Sequence, residues 1–558
     1  MKFHFGKSQD PKELWLRTIS EPPHVLGVDT ETVSLKDRSI LGTGIAISRH
    51  DAFYVTSDDP DHNEILKLLS NPKIIKAYHN APYDLRVLRK YGIDTSNVDD
   101  TAIAARLKRI GASLEEASYW VNMEVKSVKQ VMFDYGLGEK KGATMLDLPV
   151  ESVAKKCCVD CMGTYALWEY LQDIIQSDYY KVERALIPIL ETVSARGVKL
   201  DAQRNEELET HYQRDYSYYK TVAEGMGFSP SKRFEVAYML SERGVFLPFT
   251  KSKTQLATDE KTLRKITIPE AVPIAQLVLL YRHAEYQLSH FIRPFKGQDR
   301  AYTHMHMDAA TGRINGGEAG KGEPDRNLLN ITKKADRDLP PDLRVRSQFI
   351  PDEDVFTLAD DSQAEMRILA YMSQDPVMLG VFNSGGDLHS ATEKALWGTD
   401  GPNRVTAKVF GYAMLYGSDA QTVSDNTGWN DLEQISHLMN VWAETYSVAW
   451  SWREEQVKLA EQQGYVETLY GRQMPVPIDM GEKHAANCAI NYPIQGTAAD
   501  IFKRTIVECW AEPDLHDSLL LYIHDERMAN GRVEMPKDLA DVSPVHIPVE
   551  SVYPDRWR

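Results

Sequence analysis

Cysteine is scarce in this chain. Its 558 residues include five cysteines, few and odd in number, which fits a reducing compartment better than a disulfide-stapled secreted protein. Long apolar runs are missing as well. Val272 to Tyr281 is among the longest, against the roughly 18 uninterrupted apolar residues of a membrane span, so no membrane partner is expected. Met1-Lys2-Phe3-His4-Phe5-Gly6 lacks the apolar core of a signal peptide, and a cytoplasmic location is expected. There is no internal repeat and no low-complexity tract. Positive charge is in deficit: 64 Lys and Arg face 81 Asp and Glu, a net charge of −17. Such a balance favours solubility and on its face disfavours a polyanionic partner. It excludes none, because a few cations on one surface can bind phosphates while carboxylates elsewhere hold metals. The 42% hydrophobic and 26% charged residues rule out a disordered or fibrous chain, and at roughly 150 residues per domain the length predicts three to four domains.

The first third alternates strand and helix signals. Val25 to Val28 is a short apolar run ending in Asp29; Ile40–Ser48 and Ala52–Thr56 follow as in an antiparallel meander. Ile74–Tyr78 reads as another strand and Pro82–Tyr91 as a helix, which together predict an α/β domain up to about residue 178. Beyond it the chain turns helical. Val182, Leu186, Ile187, Leu190 and Val193 recur at helical spacing, and Arg196-Gly197 supplies a stop. Residues 202–296 continue mostly as helix, and a Gly-rich loop, Gly312 to Pro324, leads into a strand–helix–strand region. That loop is no phosphate loop, because Gly320-Lys321 is followed by Gly322 instead of Ser or Thr.

Two acidic strand ends carry the chemistry. Val355 to Ala359 is an apolar strand ending in Asp360-Asp361, and Ser362-Gln363-Ala364-Glu365 matches a capping box that opens the next helix. Leu519 to Ile523 is a second apolar strand, followed by His524-Asp525-Glu526, with Asn530-Gly531 favouring a tight turn soon after. Two strands that each end in Asp could lie side by side and share hard cations, which take carboxylate oxygens and substrate phosphates. Two such cations serve an in-line phosphoryl transfer. The plain alternative is two unrelated acidic turns. Between these segments, Arg404, Lys408, Tyr412 and Tyr416 recur every fourth residue and share one helical stripe. Two cations followed by two aromatics suit a nucleotide: charges for the triphosphate, rings for base and sugar. The alternative is an ordinary surface helix.

These residues carry a resemblance. Asp360-Asp361-Ser362-Gln363-Ala364-Glu365-Met366-Arg367 resembles the first palm motif of family A DNA polymerases, Arg404 to Gly417 their finger helix, and His524-Asp525-Glu526 their last palm motif. Thr311-Gly312-Arg313, Asn327 to Asn330, Asp387-Leu388-His389, Gly464 to Arg472 and Asn491 to Asp500 are similar to the family's supporting segments, in the family's order, from about residue 180 onward. The resemblance implies a right-hand polymerase domain over 179–558, with a thumb at about 179–300, a palm at about 301–364 and 490–558, and fingers at about 365–489. It implies primer–template DNA and dNTPs as partners and two Mg²⁺ ions, replaceable by Mn²⁺, held by Asp360, Asp525 and the carbonyl of Asp361, with Glu526 nearby. Arg404, Lys408 and His389 would grip the triphosphate, Lys408 as proton donor to the leaving pyrophosphate. Tyr412 would face the sugar, Glu365 would gate its 2′ position, and Tyr416 would stack near the templating base. Arg313, Asn491, Gln495 and His524 would contact DNA, three of them (Arg313, Gln495 and His524) along the minor groove, whose acceptors are common to all base pairs. Asp361 and Ala364 replace a usual aromatic and a larger aliphatic residue, Asn487 stands where Arg is frequent, and the short stretch after Glu526 leaves little room for a C-terminal helix.

The N-terminal region has its own acids. Asp29 and Glu31 lie two apart at a strand end and share a face. With Asp84 and Asp160 they resemble the four-acid, RNase H-like 3′–5′ exonucleases that precede the polymerase in proofreading members of the family. That resemblance implies two-metal hydrolysis of the 3′-terminal phosphodiester, again with two Mg²⁺ ions, and Asp29, Glu31 and Asp160 as metal ligands. One member departs: Lys156 stands four residues before Asp160, where the family has Tyr or His to orient water, and an ammonium cannot accept a hydrogen bond. A slow exonuclease or an inactive, purely structural domain is the alternative this raises, and RNA-templated synthesis is a second variant of the same reading. Cys157-Cys158-Val159-Asp160-Cys161 has no second ligand pair at zinc spacing and reads as helix packing. A monomer in a bacterial or phage-infected cytoplasm is expected, without a 5′-nuclease domain ahead of Asp29 and with any processivity partner left open.

Overall fold

The computed structural model describes residues 1–34, 37–93, 96–138, 142–250, 252–317, 326–331, 339–398, 404–427, 429 and 431–557. Most of the Gly-rich loop, including Gly320-Lys321-Gly322, lies outside the described residues; the described part begins a short strand, Asn315–Gly317, paired with His304–His306.

The N-terminal region is a six-stranded mixed sheet. Its strands are β1 (Lys2–Gly6), β2 (Val25–Thr32), β3 (Ile40–Ser48), β4 (Asp51–Thr56), β5 (Ile75–Tyr78) and β6 (Val98–Asp100), in the order β1-β4-β3-β2-β5-β6. The meander β2-β3-β4 is antiparallel, and β5 and β6 join in parallel through crossover helices. One correction concerns β2. It does not end at Asp29 but runs on to Thr32, so Asp29 and Glu31 stand within a ladder, opposite Gly44 and Gly42 of β3.

Helix Val150–Tyr170 lies across this sheet, and glycine lets it come close. A Cβ at Gly27 would stand 2.3 Å from the Cys161 carbonyl oxygen, and one at Gly44 would stand 2.6 Å from the Cys157 sulfur. Cys157, Cys158 and Cys161 are free, fully buried and part of one apolar cluster with Ala46, Ala52 and Tyr54. Their role is packing, as the sequence predicted, and the packing fixes how far Lys156 and Asp160 reach over β2.

Helix Asp178–Arg196 is shared property. Tyr180 and Ile187 pack in the N-terminal core, while Leu186, Ile189, Leu190 and Val193 pack in the larger C-terminal one. Gly197 (φ +62°) ends the helix as its left-handed stop. Glu183 of this helix meets Lys503 of helix Glu482–Ala511 in a buried ion pair at 2.5 Å. Helices Ala202–Gly225 and Val272–Gln287 then pack on each other and lead to the C-terminal sheet.

That sheet has four strands, in the order Leu519–Ile523, Glu526–Asn530, Phe356–Asp361, Val549–Val552. The two Asp-ending strands are therefore not neighbours; Glu526–Asn530 runs between them, because His524-Asp525 is a tight hairpin turn with His524 at φ +57°. After the hairpin the chain returns as strand Val549–Val552, beside Phe356–Asp361.

A second correction concerns Ser362 to Glu365. Helix Ala364–Ser373 starts from Gln363 in the left-handed conformation (φ +53°) with no side-chain cap, so no capping box forms. The Gln363 amide instead reaches the N-terminus of helix Leu388–Trp397, accepting from the Leu388 amide at 3.2 Å, and the Glu365 carboxylate is used elsewhere. Among the described residues, no helix is long and apolar enough to cross a membrane.

Candidate active sites

In the C-terminal sheet, strand alternation separates two neighbouring acids. Asp360 is exposed; Asp361 points to the opposite face and is 3% exposed. Register places Asp360 opposite both Glu526 and Glu550, and Ala359 opposite Arg527. Asp361 therefore meets Arg527, which is wholly buried, in a two-pronged pair whose longer contact is 3.3 Å. Burial and the nearby Asp525 charge push the Asp361 carboxyl up, while Arg527 pulls it down. The aromatic position of the resembled motif is thus filled by an ion pair beneath the sheet. Only the main chain of Asp361 faces the acids: its amide donates to the Asp525 carbonyl at 3.2 Å and clasps the hairpin turn to the end of the Asp360 strand. Asp525, like Asp360, is exposed. Two exposed carboxylates held by a backbone clasp suit a hard divalent cation.

Helix Arg404–Leu415 supplies the opposing wall. The Tyr412 hydroxyl is made harder to ionise by burial and then by Glu365, Asp525 and Asp360, which places its ring beside the acids. Tyr412 packs between His389 (ring centroids 5.8 Å) and Tyr416 (5.9 Å), and its hydroxyl bonds to no described residue. Lys408 is exposed and, among the described residues, pairs with none. Arg404 is paired with Asp387, whose other oxygen accepts from the Ser390 amide at 2.8 Å. Burial lifts the Asp387 carboxyl, but those bonds outweigh it and hold it below the usual range. Burial, with Lys408 and Arg404 adding to it, depresses His389 to about 4, so its ring is neutral at physiological pH.

Glu365 is 7% exposed and joins three segments: one oxygen takes the Arg313 guanidinium, the other the Tyr416 hydroxyl. Burial and Asp525 raise its carboxyl; Arg313 and Tyr416 oppose that. Arg313, expected in the DNA groove, is thus engaged with the expected sugar gate. Asn491 and Gln495 lie on helix Glu482–Ala511, partly exposed, and Asn491 reaches the Tyr416 carbonyl at 3.5 Å. Asn487, where an Arg was expected, lies against Gly417 (φ +68°), where any Cβ would be 2.6 Å from its oxygen. His524 is exposed on its turn, and its ring is depressed by burial and by Arg313.

The N-terminal acids are arranged differently. Asp100 accepts the amides of Asn80 (3.1 Å) and Ala81 (2.9 Å) and so fixes the start of helix Ala81–Arg89. This turns Asp84 inward to accept from the Thr30 amide (2.9 Å) and hydroxyl (2.5 Å). Ligand atoms of Asp29, Glu31 and Cys157 lie within 4.8 Å of one another. Lys156 donates to Glu31 at 2.9 Å and to Asp160 at 2.7 Å. Burial raises Asp84 and Glu31, and pushes Asp160 up to about 8. Burial alone would lower Lys156, but Glu31, Asp160 and Asp29 outweigh it and hold its proton. One oxygen of Asp29 and one of Asp160 are buried without a hydrogen-bond partner. Orphaned carboxylate oxygens among clustered acids fit a missing cation.

Sequence reasoning missed Arg527, Asp387 and Glu550. Arg527 had a signal: Asp361 and Arg527 each follow an acid of the pair Asp360–Glu526, which lie opposite one another on neighbouring strands, so both point to the other face once the strands are paired.

Comparison with known proteins adds the following. A model of the family described as DNA polymerase family A matches residues 199–543, and one described as 3′–5′ exonuclease matches residues 6–176. The chain is 28% identical over 556 residues to DNA polymerase I of Chloroflexus aurantiacus, covering 91% of this chain and 57% of that one. It is 30% identical over 408 residues to the thermostable DNA polymerase I of Thermus filiformis, covering 67% and 46%. The chain spans 50–62% of the length of the first curated relatives it matches. The POL domain of Pol1 from M. smegmatis, solved in complex with DNA primer-template and dNTP, superposes with a TM-score of 0.80 at 22% identity, covering 99% of both chains. The expected fold class, an exonuclease-like α/β domain followed by a right-hand polymerase domain, agrees with that superposition.

Proposed function

This chain belongs to DNA polymerase family A, with a 3′–5′ exonuclease domain preceding the polymerase region, and from that premise we propose that it extends a primer 3′ end on a DNA template and removes 3′-terminal nucleotides at a second site. The observation that carries the polymerase reading is the clasp between the Asp361 amide and the Asp525 carbonyl, which sets two exposed carboxylates under the Tyr412 helix. Divalent cations, Mg²⁺ or Mn²⁺, bound by Asp360, Asp525 and the Asp361 carbonyl would activate the primer hydroxyl and offset charge on the pyrophosphate. Lys408 and Arg404 bind the triphosphate, and Lys408, exposed and unpaired among the described residues, donates a proton to the leaving group. Neutral His389 donates or accepts a hydrogen bond without adding charge. Tyr412 and Glu365 read the sugar, and Tyr416 holds the template side of the pocket. Arg313, Asn491, Gln495 and His524 contact primer–template. The thumb, palm and fingers boundaries follow those roles, and the protein works as a cytoplasmic monomer. Primer extension with Mg²⁺ tests this reading, and no extension by a folded protein would overturn it.

In the exonuclease domain, Asp29, Glu31 and Asp160 would hold the hydrolytic cations, with Asp84 as the fourth acid of the site. A slow exonuclease is a second reading, favoured by one observation: the ammonium of Lys156 already bridges Glu31 and Asp160. Release of 3′ nucleotides from labelled single-stranded DNA measures which holds.

A further inference from the structure

The exonuclease reading assumes a site that takes two divalent cations. The ammonium of Lys156 changes what that site can hold. It lies 2.9 Å from Glu31 and 2.7 Å from Asp160, with a side chain only 10% exposed, so it is sealed in with the acids. It uses one oxygen from each carboxylate, so those two oxygens are already engaged by a positive charge. Its helix cannot draw back without lifting Cys157 and Cys161 off Gly44 and Gly27. Lys156 bonds neither Asp29 nor the second oxygen of Asp160, and one oxygen of each acid is buried with no hydrogen-bond partner.

We propose, on the premise that the exonuclease reading holds, that Lys156 is a tethered counter-ion that occupies one of the two cation positions, so that the site takes a single divalent cation, on the Asp29 side. The physical ground is Coulombic. A cation entering beside a fixed ammonium is repelled by it and finds two carboxylate oxygens already committed. The same ammonium offsets the repulsion among buried acids, so the domain folds without metal. Lys156 is in this sense a positioning residue: it sets the number and affinity of cations and touches no substrate.

The test counts Mn²⁺ bound to the full chain, by the electron paramagnetic resonance signal of free Mn²⁺, with the other site silenced by Asp360→Ala and Asp525→Ala. With Lys156 in place, one Mn²⁺ per chain is expected, lost on Asp29→Ala, and the rise in melting temperature from EDTA to Mn²⁺ should be smaller than in Lys156→Met. Lys156→Met should bind a second Mn²⁺, tighten the first by about ten-fold or more, and gain a melting shift with Mn²⁺. Lys156→Arg should behave as the parent. Two Asp29-dependent Mn²⁺ ions in the parent would overturn the proposal even if Lys156→Met failed to fold. Equal isotherms for Lys156 and Lys156→Met would overturn it while leaving the exonuclease reading intact. No Mn²⁺ on any variant would overturn both.

Discussion

The chain carries two sets of carboxylates and solves the problem of their mutual repulsion in opposite ways. In the C-terminal sheet the acids that face the cleft, Asp360 and Asp525, stay in water, and the buried cation, Arg527, sits under the sheet bonded to Asp361. In the N-terminal sheet Glu31, Asp84 and Asp160 are buried, Asp29 is half-buried, and the cation, Lys156, bridges Glu31 and Asp160. Water screens the first pair, and both carboxylates are accessible to an incoming metal and phosphate. In the second set the internal charge offsets the repulsion between the acids it bridges, and on the proposal above it competes with metal. Access and neutralisation are thus bought separately in one site and together in the other.

The largest effect that would break this contrast lies in the exposed pair. Asp360→Ala or Asp525→Ala should reduce nucleotide addition by about 10³-fold or more, the consequence of losing several kcal/mol of transition-state stabilisation. Melting should hardly move, because neither carboxylate supports packing. A mutant that extends primers normally would remove these residues from the mechanism. Asp29→Ala should abolish 3′ degradation and leave extension intact.

Next come the buried cations. Asp361→Leu leaves Arg527 buried and unpaired and should cost about 3–5 kcal/mol of stability. Asp361→Phe combined with Arg527→Met should recover most of it, since an apolar pair of similar volume is often as stable as a buried ion pair. Denaturant unfolding measures both. If the double variant stays as unstable as the single one, Arg527 has a role beyond neutralising Asp361.

These pairs also mark where the sequence was legible. Periodicity reads local elements well: Ile40–Ser48 was expected and found without change, and helix Asp178–Arg196 ends at the expected Arg196-Gly197 stop. Asp29, Glu31, Asp84 and Asp160, and Asp360 with Asp525, could be singled out because the segments that carry them resemble a family. What was not legible depends on pairing between distant segments. Ser362-x-x-Glu365 has the letters of a capping box, yet a left-handed Gln363 and a tertiary pull from Arg313 and Tyr416 take the Glu365 side chain away. Lys156 was noticed as a missing acceptor; that its ammonium lies between two acids needed the register of β2 against helix Val150–Tyr170.

Two substitutions sharpen the nucleotide side of the comparison. Tyr412→Phe removes a hydroxyl that bonds to no described residue and so is available to stand in for a missing 3′-hydroxyl. Chain termination at a fixed dideoxy-to-deoxy ratio should fade by about one to two orders of magnitude, equivalent to about 1.4–2.8 kcal/mol. Equal termination would show that the hydroxyl takes no part. Glu365→Ala should raise ribonucleotide incorporation and lower stability by about 1–3 kcal/mol, now through the freed Arg313 and Tyr416 and not through a lost cap. Unchanged sugar discrimination would leave Glu365 as a structural tie alone.

The smallest effect is a pH dependence at His389. Its ring is depressed to about 4, first by burial and then by Lys408 and Arg404, with Asp387 pulling the other way. In the unfolded chain the same imidazole takes a proton near its ordinary value of about 6.5. A depressed histidine is neutral in the fold while the unfolded state is already binding protons. Its contribution is therefore complete above the unfolded value, shrinks as pH falls from about 6.5 towards 4, and is gone below the folded value. At pH 5 the loss should be on the order of 1–2 kcal/mol. His389→Gln, which keeps a hydrogen-bonding side chain without a titrating ring, should flatten that part of the curve. Urea midpoints of the two proteins between pH 7 and 4 provide the measurement. Parallel curves would mean that other groups carry the acid sensitivity and that the Lys408 and Arg404 charges do not bear on His389.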